Sequence, residues 1–403
     1  MVIVQKFGGT SVGDLERIQN VANRIARTVK EGHQVVVVVS AMSGETNKLV
    51  AYAEHFSQNP DRAEVDMLLS SGERVTAALL SIALNAMGLS ATSMTGRRAG
   101  IVTDNVHTKA RIERIDAAPI KETLAEGKII VVAGFQGVNE EGQVTTLGRG
   151  GSDLSAVAIA GAIGADLCEI YTDVEGIYTT DPRIVPAAKK LDRISYDEML
   201  ELASLGAKIL QNRSVELAKK LNVNLVTRSS FSDAEGTLIT KEENIMEKPL
   251  VSGIALDRNQ ARIALSGVAH RPGIASDIFN ALAQNHVNVD MIIQISGDDG
   301  STSMDFTVPI SEINDAKQVV ETFCEKKEIA SASFDESICK VSIVGVGMKS
   351  HTGVAAKAFS TMAAENINIQ MISTSEIKVS MVIDDKYAEL AVRSLHSAYE
   401  LDK

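Results

Sequence analysis

Five consecutive valines, Val35–Val39, leave few folds open to this chain. Side chains along a strand alternate between two faces, so a strand on a half-solvated sheet needs apolar residues on only one of them. A strand apolar on both faces belongs inside a sheet covered on each side, which is the parallel arrangement built from strand–helix–strand crossovers. The preceding residues supply such a crossover. Val2–Gln5 reads as a strand, and Leu15, Ile18, Val21, Ala22, Ile25 and Val29 recur at the spacing of one helix face before Gly32 ends the pattern. The opening fifty residues therefore predict an α/β fold.

Between that first strand and helix lies Lys6-Phe7-Gly8-Gly9-Thr10-Ser11. Adjacent glycines let backbone N–H groups approach a ligand with no Cβ in the way, and a helix N-terminus behind the loop favours an anion. Lys6 adds a full positive charge, and the combination predicts a phosphate cradle rather than an ordinary corner. Two other phosphate motifs do not fit. Gly8 and Gly13 have P-loop spacing, but Asp14 stands where the lysine belongs, and Gly8-Gly9 does not make a dinucleotide fingerprint.

The alternation continues. A helical stretch is expected from Asp61 to Met87, broken at Ser70-Ser71-Gly72-Glu73, with further helices at Asp153–Ile163 and Asn212–Leu221. Strands are expected at Ala91–Met94, Ile129–Val132, Glu169–Thr172 and Asn224–Thr227, and the loop from Ser40 opens where α/β sheets bind ligands. Lys241–Asn244 and Glu247-Lys248-Pro249 form a charged, proline-stopped hinge.

Beyond the hinge the chain repeats. Gly273-Ile274-Ala275, Phe279, Leu282 and Val287–Ile292 recur as Gly353-Val354-Ala355, Phe359, Met362 and Ile367–Ile372. Position 273 matches 353 and 291 matches 371, a constant offset of 80 residues. Each copy reads as a β-α-β-β-α-β sandwich with an asparagine in mid-strand, the mark of a duplicated domain. The Val341–Gly347 run resembles a dinucleotide loop, but Ser350 replaces its third glycine, and the repeat already accounts for it.

A formal charge of -12, few aromatics and no tryptophan argue against nucleic acid or an anionic membrane as partner. Cys168, Cys324 and Cys339 suggest neither a disulfide framework nor a zinc site, and the seven histidines show no ligand spacing, so no protein-held metal is expected. No targeting signal and no apolar run of membrane-spanning length is read in the chain, which predicts a cytoplasmic protein.

Five strings, Lys6–Ser11, Ser40–Asn47, Ser70–Arg74, Thr146–Asp153 and Tyr171–Arg183, together resemble the aspartate kinases over essentially the full length. Glu45 departs slightly from the commoner wording of its loop. The resemblance implies an amino-acid-kinase (carbamate-kinase-like) three-layer αβα domain at 1–245. It implies two ferredoxin-like ACT domains after it, one at 264–335 and one at 250–263 plus 336–403, leaving open that the first is inserted in the second. The implied reaction is MgATP-dependent phosphorylation of the aspartate side chain, at the head of lysine, threonine and methionine biosynthesis.

By the same resemblance Lys6, Arg149 and Asp153 are catalytic. Lys6, Phe7, Gly8, Gly9, Thr10, Ser11, Ser40 and Ser152 hold the ATP phosphates, with Thr172, Asp173, Tyr178, Asp181, Arg183 and Lys208 in the nucleotide segment. Thr46, Glu73, Arg149, Gly150, Gly151 and Ser152 bind aspartate, Arg149 at its α-carboxylate and Glu73 at its ammonium. Feedback by lysine or threonine is implied at Gly273, Ile274, Ala275, Asp290 and Gln294, with Asn368 and Ile369 lining the companion site. A homo-oligomer through the ACT domains is implied, or a complex with a regulatory subunit started internally near Met246. Other readings are a different amino-acid kinase, which should lack the duplicated tail, and a non-catalytic amino-acid sensor, which could dispense with Lys6 and Arg149.

Overall fold

The computed structural model describes residues 1–204, 210–245, 250–297 and 302–403. Lys208 and Met246 lie outside the described residues. The chain divides into two compact units. Of the described residues, the first comprises Met1–Ile177, Lys190–Ala203 and 210–245, and the second comprises Tyr178–Lys189, Ser204 and the C-terminal stretches 250–297 and 302–403.

The first unit runs β1 (Val2–Phe7), α1 (Leu15–Lys30), β2 (Gln34–Val39), α2 (Glu45–Phe56), α3 (Arg62–Ala86), β3 (Ala91–Met94), β4 (Ile101–Thr103) and β5 (Ile112–Ile115). It continues through α4 (Ala118–Ala125), β6 (Ile129–Ala133), β7 (Gln136–Val138), β8 (Val144–Thr146), α5 (Gly151–Ile163) and β9 (Leu167–Thr172). It closes with β10 (Arg193–Ser195), α6 (Tyr196–Ser204), α7 (Asn212–Leu221), β11 (Leu225–Ser229) and β12 (Thr237–Thr240). Eight strands form one sheet in the order β10-β12-β11-β9-β1-β2-β6-β3, parallel except where β11 meets β12. A small sheet, β5-β4-β7-β8, lies apart from it.

The valine run lies inside the large sheet, third from its β3 edge and covered on both faces, as its composition predicts. Val35, Val37 and Val39 pack with Ile18, Val21, Ile25, Leu80 and Leu84 under α1 and α3. Val36 and Val38 take the other face, where α5 is buried over most of its length. This is the three-layer αβα arrangement.

Two local expectations are corrected here. The helix expected to break at Ser70–Glu73 is one continuous 25-residue helix, α3. Serine and glycine are weak helix formers, but tertiary contacts override the propensity. The Ser70 and Ser71 hydroxyls return to the carbonyls of Met67 and Leu68 at 2.9 and 2.6 Å, and Gly72 lets the Ala41 loop lie directly on the helix. α3 is also long and apolar enough, by length and composition, to cross a bilayer. Half of its apolar stretch is buried in the fold, with Asp66 and Glu73 among the buried residues of the helix. Nor does α1 point its first turn at the Gly8-Gly9 loop directly. A 3-10 turn, Gly9–Val12, comes between, and Asp14 caps α1 by accepting from Arg17 N–H at 2.8 Å.

The second unit contains β13 (Gly253–Ser266), α8 (Ile274–Gln284), β14 (Ile292–Ser296), β15 (Thr302–Val308), α9 (Ile313–Glu325) and β16 (Ser331–Val344). Then come α10 (Val354–Ala364), β17 (Met371–Thr374), β18 (Lys378–Asp384) and α11 (Ala388–Ala398). Its sheet runs β14-β15-β13-β16-β18-β17. The 14-residue strands β13 and β16 pair antiparallel from Gly253↔Val344 to Ser266↔Ser331, so each serves both repeats. One apolar core lies under α8 and α9 and another under α10 and α11. Strands expected from Val287 and Ile367 begin later, at Ile292 and Met371. Asn288 and Asn368 therefore precede the strands, and Asn288 is tied to Glu312 instead. Val185 is part of the α10–α11 core, and Thr179 Oγ1 lies 2.9 Å from His396 Nε2, so the stretch Tyr178–Lys189 is built into this unit.

Gly72 provides a test of the α3 contact. Glycine to alanine inside a helix ordinarily stabilises by up to about 1 kcal/mol. A Cβ at Gly72 would sit 2.8 Å from the Ala41 Cβ. Gly72→Ala should therefore destabilise by roughly 1–3 kcal/mol in urea unfolding; a stabilised variant would contradict the packing described.

Candidate active site

Strand register explains why Lys6 faces inward. It pairs with Val38 on one side and Ile170 on the other, and shares the Val38 face, towards α5. α5 begins at Gly151, so Asp153 lies in its first turn, and the Lys6 Nζ to Asp153 Oδ1 distance is 2.6 Å. Both side chains are only about a tenth exposed. Asp153 does not cap α5; the N-cap is Gly150, in the left-handed region at φ 72. The acid binds the lysine.

The loops around this pair fit closely. A Cβ at Gly8 would lie 3.4 Å from Lys6 Nζ, and one at Gly9 would lie 3.0 Å from the Ala41 carbonyl oxygen. Ala41 follows Ser40 at the end of β2, and its N–H donates to Glu73 Oε1 at 3.0 Å. Gly134 approaches Ser152, whose Cβ a side chain there would meet at 3.0 Å. Thus Ala41 joins the Gly8-Gly9 turn to Glu73, and Ser152 joins the end of β6 to α5. Ser11 is buried with its hydroxyl 2.6 Å from that of Ser230, and the Thr10 carbonyl oxygen accepts from Arg17 at 2.7 Å. Thr46 sits half-buried on the first turn of α2.

Glu73 is not a surface helix residue: it is 3 % exposed, and its Oε2 has no hydrogen-bond partner among the described residues. Burial pushes its carboxyl up to about 7, against backbone hydrogen bonds, chiefly that of Ala41, that pull it down. A buried acid with one unpartnered oxygen is suited to a cation from the substrate.

Arg149 is exposed on the turn between β8 and α5, with left-handed Gly148 and Gly150 on either side and Gln211 donating to its carbonyl. Gly151 has no room for a side chain, because a Cβ would lie 2.9 Å from both Leu147 and Phe135. Phe7 stacks on Tyr171 with centroids 4.6 Å apart, which joins the Gly8-Gly9 loop to β9. Thr172 ends β9 and turns back on Val174, and Asp173 is exposed beside it.

Other expected residues fall in the second unit. Tyr178, Asp181 and Arg183 lie there, and Arg183 pairs with Asp181 at 2.6 Å, which holds the Asp181 carboxyl below its usual range. Gly273 is the left-handed N-cap of α8, with buried Ile274 and half-buried Ala275 after it. Asp290 is held by Lys340, a lysine only 4 % exposed, while Gln294 and Asn368 are exposed and Ile369 is half-buried. A cavity of about 610 Å³ opens at the start of α10, lined by Met348, His351, Gly353, Ala355, Thr374 and Glu376 among others. The 80-residue offset maps Gly273, Ala275 and Gln294 onto Gly353, Ala355 and Thr374, so the repeat itself carried the signal.

Glu73 makes the first unit's stability depend on pH. The folded chain keeps that proton above the ordinary 4.5, so between about pH 4.5 and 7 it binds more protons than the unfolded chain. Stability from this group falls as pH rises through that window. Glu73→Gln should flatten the slope, with the parent losing up to about 3 kcal/mol more than the variant across it in urea titrations.

Residues 1–228 match the Amino acid kinase family, and residues 263–326 and 341–399 each match an ACT domain family. The Aspartokinase of Helicobacter pylori (strain J99) is 59% identical over 407 residues, covering all of both chains. Aspartokinase 2 of Bacillus subtilis is 49% identical, over all of this chain and 98% of its own. Among solved structures, E. coli aspartokinase III in complex with aspartate and ADP aligns with TM-score 0.80 at 27% identity, over 99% of each chain. Its complex with lysine and aspartate gives 0.79, over 98% of this chain and 99% of its own.

Proposed function

The chain belongs to the aspartokinase family, and from that premise we propose how its residues carry the reaction. The activity is phosphorylation of the side-chain carboxylate of L-aspartate by ATP, giving 4-phospho-L-aspartate and ADP. An aspartate carboxylate, with a pKa of about 3.9, is already ionised at pH 7. No general base is needed, and the barrier is the approach of two anions. Catalysis therefore consists of positioning and charge stabilisation.

Lys6 is the cation between the two reactants. The ion pair with Asp153 at the end of β1 is the observation that carries this reading, because it holds an ammonium beside the Gly8-Gly9 turn. Asp153 orients Lys6, and magnesium enters as MgATP, with its waters and the phosphates as most of its ligands. Phe7, Gly8, Gly9, Thr10, Ser11, Ser40 and Ser152 serve the phosphates, and Thr172 and Asp173 the rest of the nucleotide. Arg149 grips the aspartate α-carboxylate with its planar fork, and the unpartnered Glu73 oxygen receives the ammonium. Thr46, Gly150 and Gly151 complete that pocket.

The second unit is read as the sensor. Lysine and threonine are its effectors, bound at the start of α8 with Asp290 and Gln294, and at the companion positions Asn368 and Ile369. The matching cavity at the start of α10 supports two such sites. An effector acts only through different affinities for two states of the chain. The edge strands β14 and β17 expose Ile292, Ile295 and Ile372, which supports assembly of a homo-oligomer through sheet edges. The first repeat is inserted in the second, as the shared strands β13 and β16 support. Three free cysteines suit a cytoplasmic location.

The reaction is tested by ATP-dependent hydroxamate formation from aspartate and hydroxylamine. Lys6→Ala should lose at least about a hundredfold in kcat while remaining folded. Glu73→Ala and Arg149→Ala should each raise KM for aspartate about tenfold or more, with KM for ATP little changed. A Lys6→Ala enzyme with near-parental turnover would sink the phosphate assignment. For the sensor, lysine or threonine should lower the rate, and Asp290→Ala should raise the half-inhibiting concentration about tenfold, worth roughly 1.4 kcal/mol; unchanged inhibition would remove Asp290 from the effector site.

A further inference from the structure

Asp66 is fully buried on α3, two helical turns before Glu73 and on the same side of the helix, and the phosphoryl transfer described above makes no use of it. A buried carboxyl group is costly unless its oxygens are satisfied. Here His107 Nδ1 lies 2.7 Å from Oδ2, the Thr108 N–H reaches both oxygens at 3.1 Å, and the Thr146 hydroxyl donates to Oδ1. These donors come from two separate segments, the loop at 104–110 and the end of β8. The second leads into the turn that carries Arg149, and the first packs against it.

Thr146 is the last residue of β8, three before Arg149. Its carbonyl oxygen accepts from Ala110 N–H at 2.9 Å, and Arg213 binds the carbonyls of Leu147 and Ala110 at 2.8 and 3.1 Å. A Cβ on Gly148 would lie 3.3 Å from the Thr108 carbonyl oxygen, so Thr108 roofs the turn. Thr108 itself has φ 69, in the left-handed region that a β-branched residue rarely adopts. Such a conformation persists only where surrounding bonds over-determine it. The Asp66 carboxyl, bonded to the Thr108 N–H and to its neighbour His107, supplies those bonds.

We infer that Asp66, through His107, Thr108 and Thr146, is a positioning residue that holds the Gly148–Gly151 turn so that Arg149 meets the amino-acid substrate. Asp66 touches no substrate; it acts by fixing the backbone on both sides of the turn. A small misplacement of a clamping group is enough to cost one or two orders of magnitude. The inference rests on reading Arg149 as the aspartate clamp.

Kinetics of single variants of the full chain test it. Asp66→Asn keeps the shape but leaves one strong acceptor where there were two, and Thr146→Val removes one donor. Both should raise KM for aspartate about tenfold, with KM for ATP and kcat within about threefold of the parent. His107→Ala should behave alike. Thr146→Ser and His107→Asn, which restore a hydroxyl and a nitrogen near the Nδ1 position, should return KM towards the parental value; a purely structural role would not separate the two substrates in this way. The inference is overturned if folded Asp66→Asn and Thr146→Val enzymes keep the parental KM for aspartate while Arg149→Ala raises it. Equal rises in both KM values would overturn it as well. If Arg149→Ala leaves KM for aspartate unchanged, the clamp reading fails first and the positioning role falls with it.

Discussion

The ion pair between Lys6 and Asp153 joins the end of the central strand to the first turn of the helix that covers it. Removing either partner would leave a mostly buried charge uncompensated, a loss of about 3–5 kcal/mol in comparable sites. Such a pair is weak evidence for stability as such, since apolar residues would fill the space as well. Its value lies in geometry. An ammonium fixed in the mouth of a parallel sheet, with helix turns and glycine loops around it, is a ready site for phosphate. Everything else in the first unit can be traced outward from that point.

One route runs through Ala41. It touches Gly9, donates to Glu73 and packs on Gly72, so a single loop couples the Gly8-Gly9 turn to the buried acid of α3. The other runs through α5 to the Gly148–Gly151 turn and back to Asp66 on α3. α3 thus carries Glu73 and Asp66 on one side, and among the described residues one oxygen of Glu73 has no partner while both oxygens of Asp66 do. That contrast sorts the two acids: the unsatisfied one is suited to a ligand and the satisfied one to holding the backbone.

The fold was legible to a large extent. The valine run predicted a covered parallel sheet, and Val35, Val37 and Val39 indeed face α1 and α3 while Val36 and Val38 face α5. The repeat at a fixed offset predicted a duplicated domain, and the two cores of the second unit follow it. Errors came where local propensity spoke against tertiary packing. Ser70–Glu73 read as a helix break and is helix, and Asn288 read as strand and is loop.

The sequence by itself determined that a lysine precedes a glycine pair at Lys6–Gly9, and its motifs set Lys6, Glu73, Arg149 and Asp153 in the order in which the family resemblance proposes them for the site. Motif spacing along the chain is local information, and it survives in one dimension. Which acid pairs with which cation is not local. Only the tertiary structure decided that Asp153 binds Lys6 instead of capping its helix, that Asp290 is held by Lys340, and that Asp66 reaches Thr146 across 80 residues of chain. Those pairings depend on strand register and on which helix face is buried, and neither is fixed until the sheet has closed around its core.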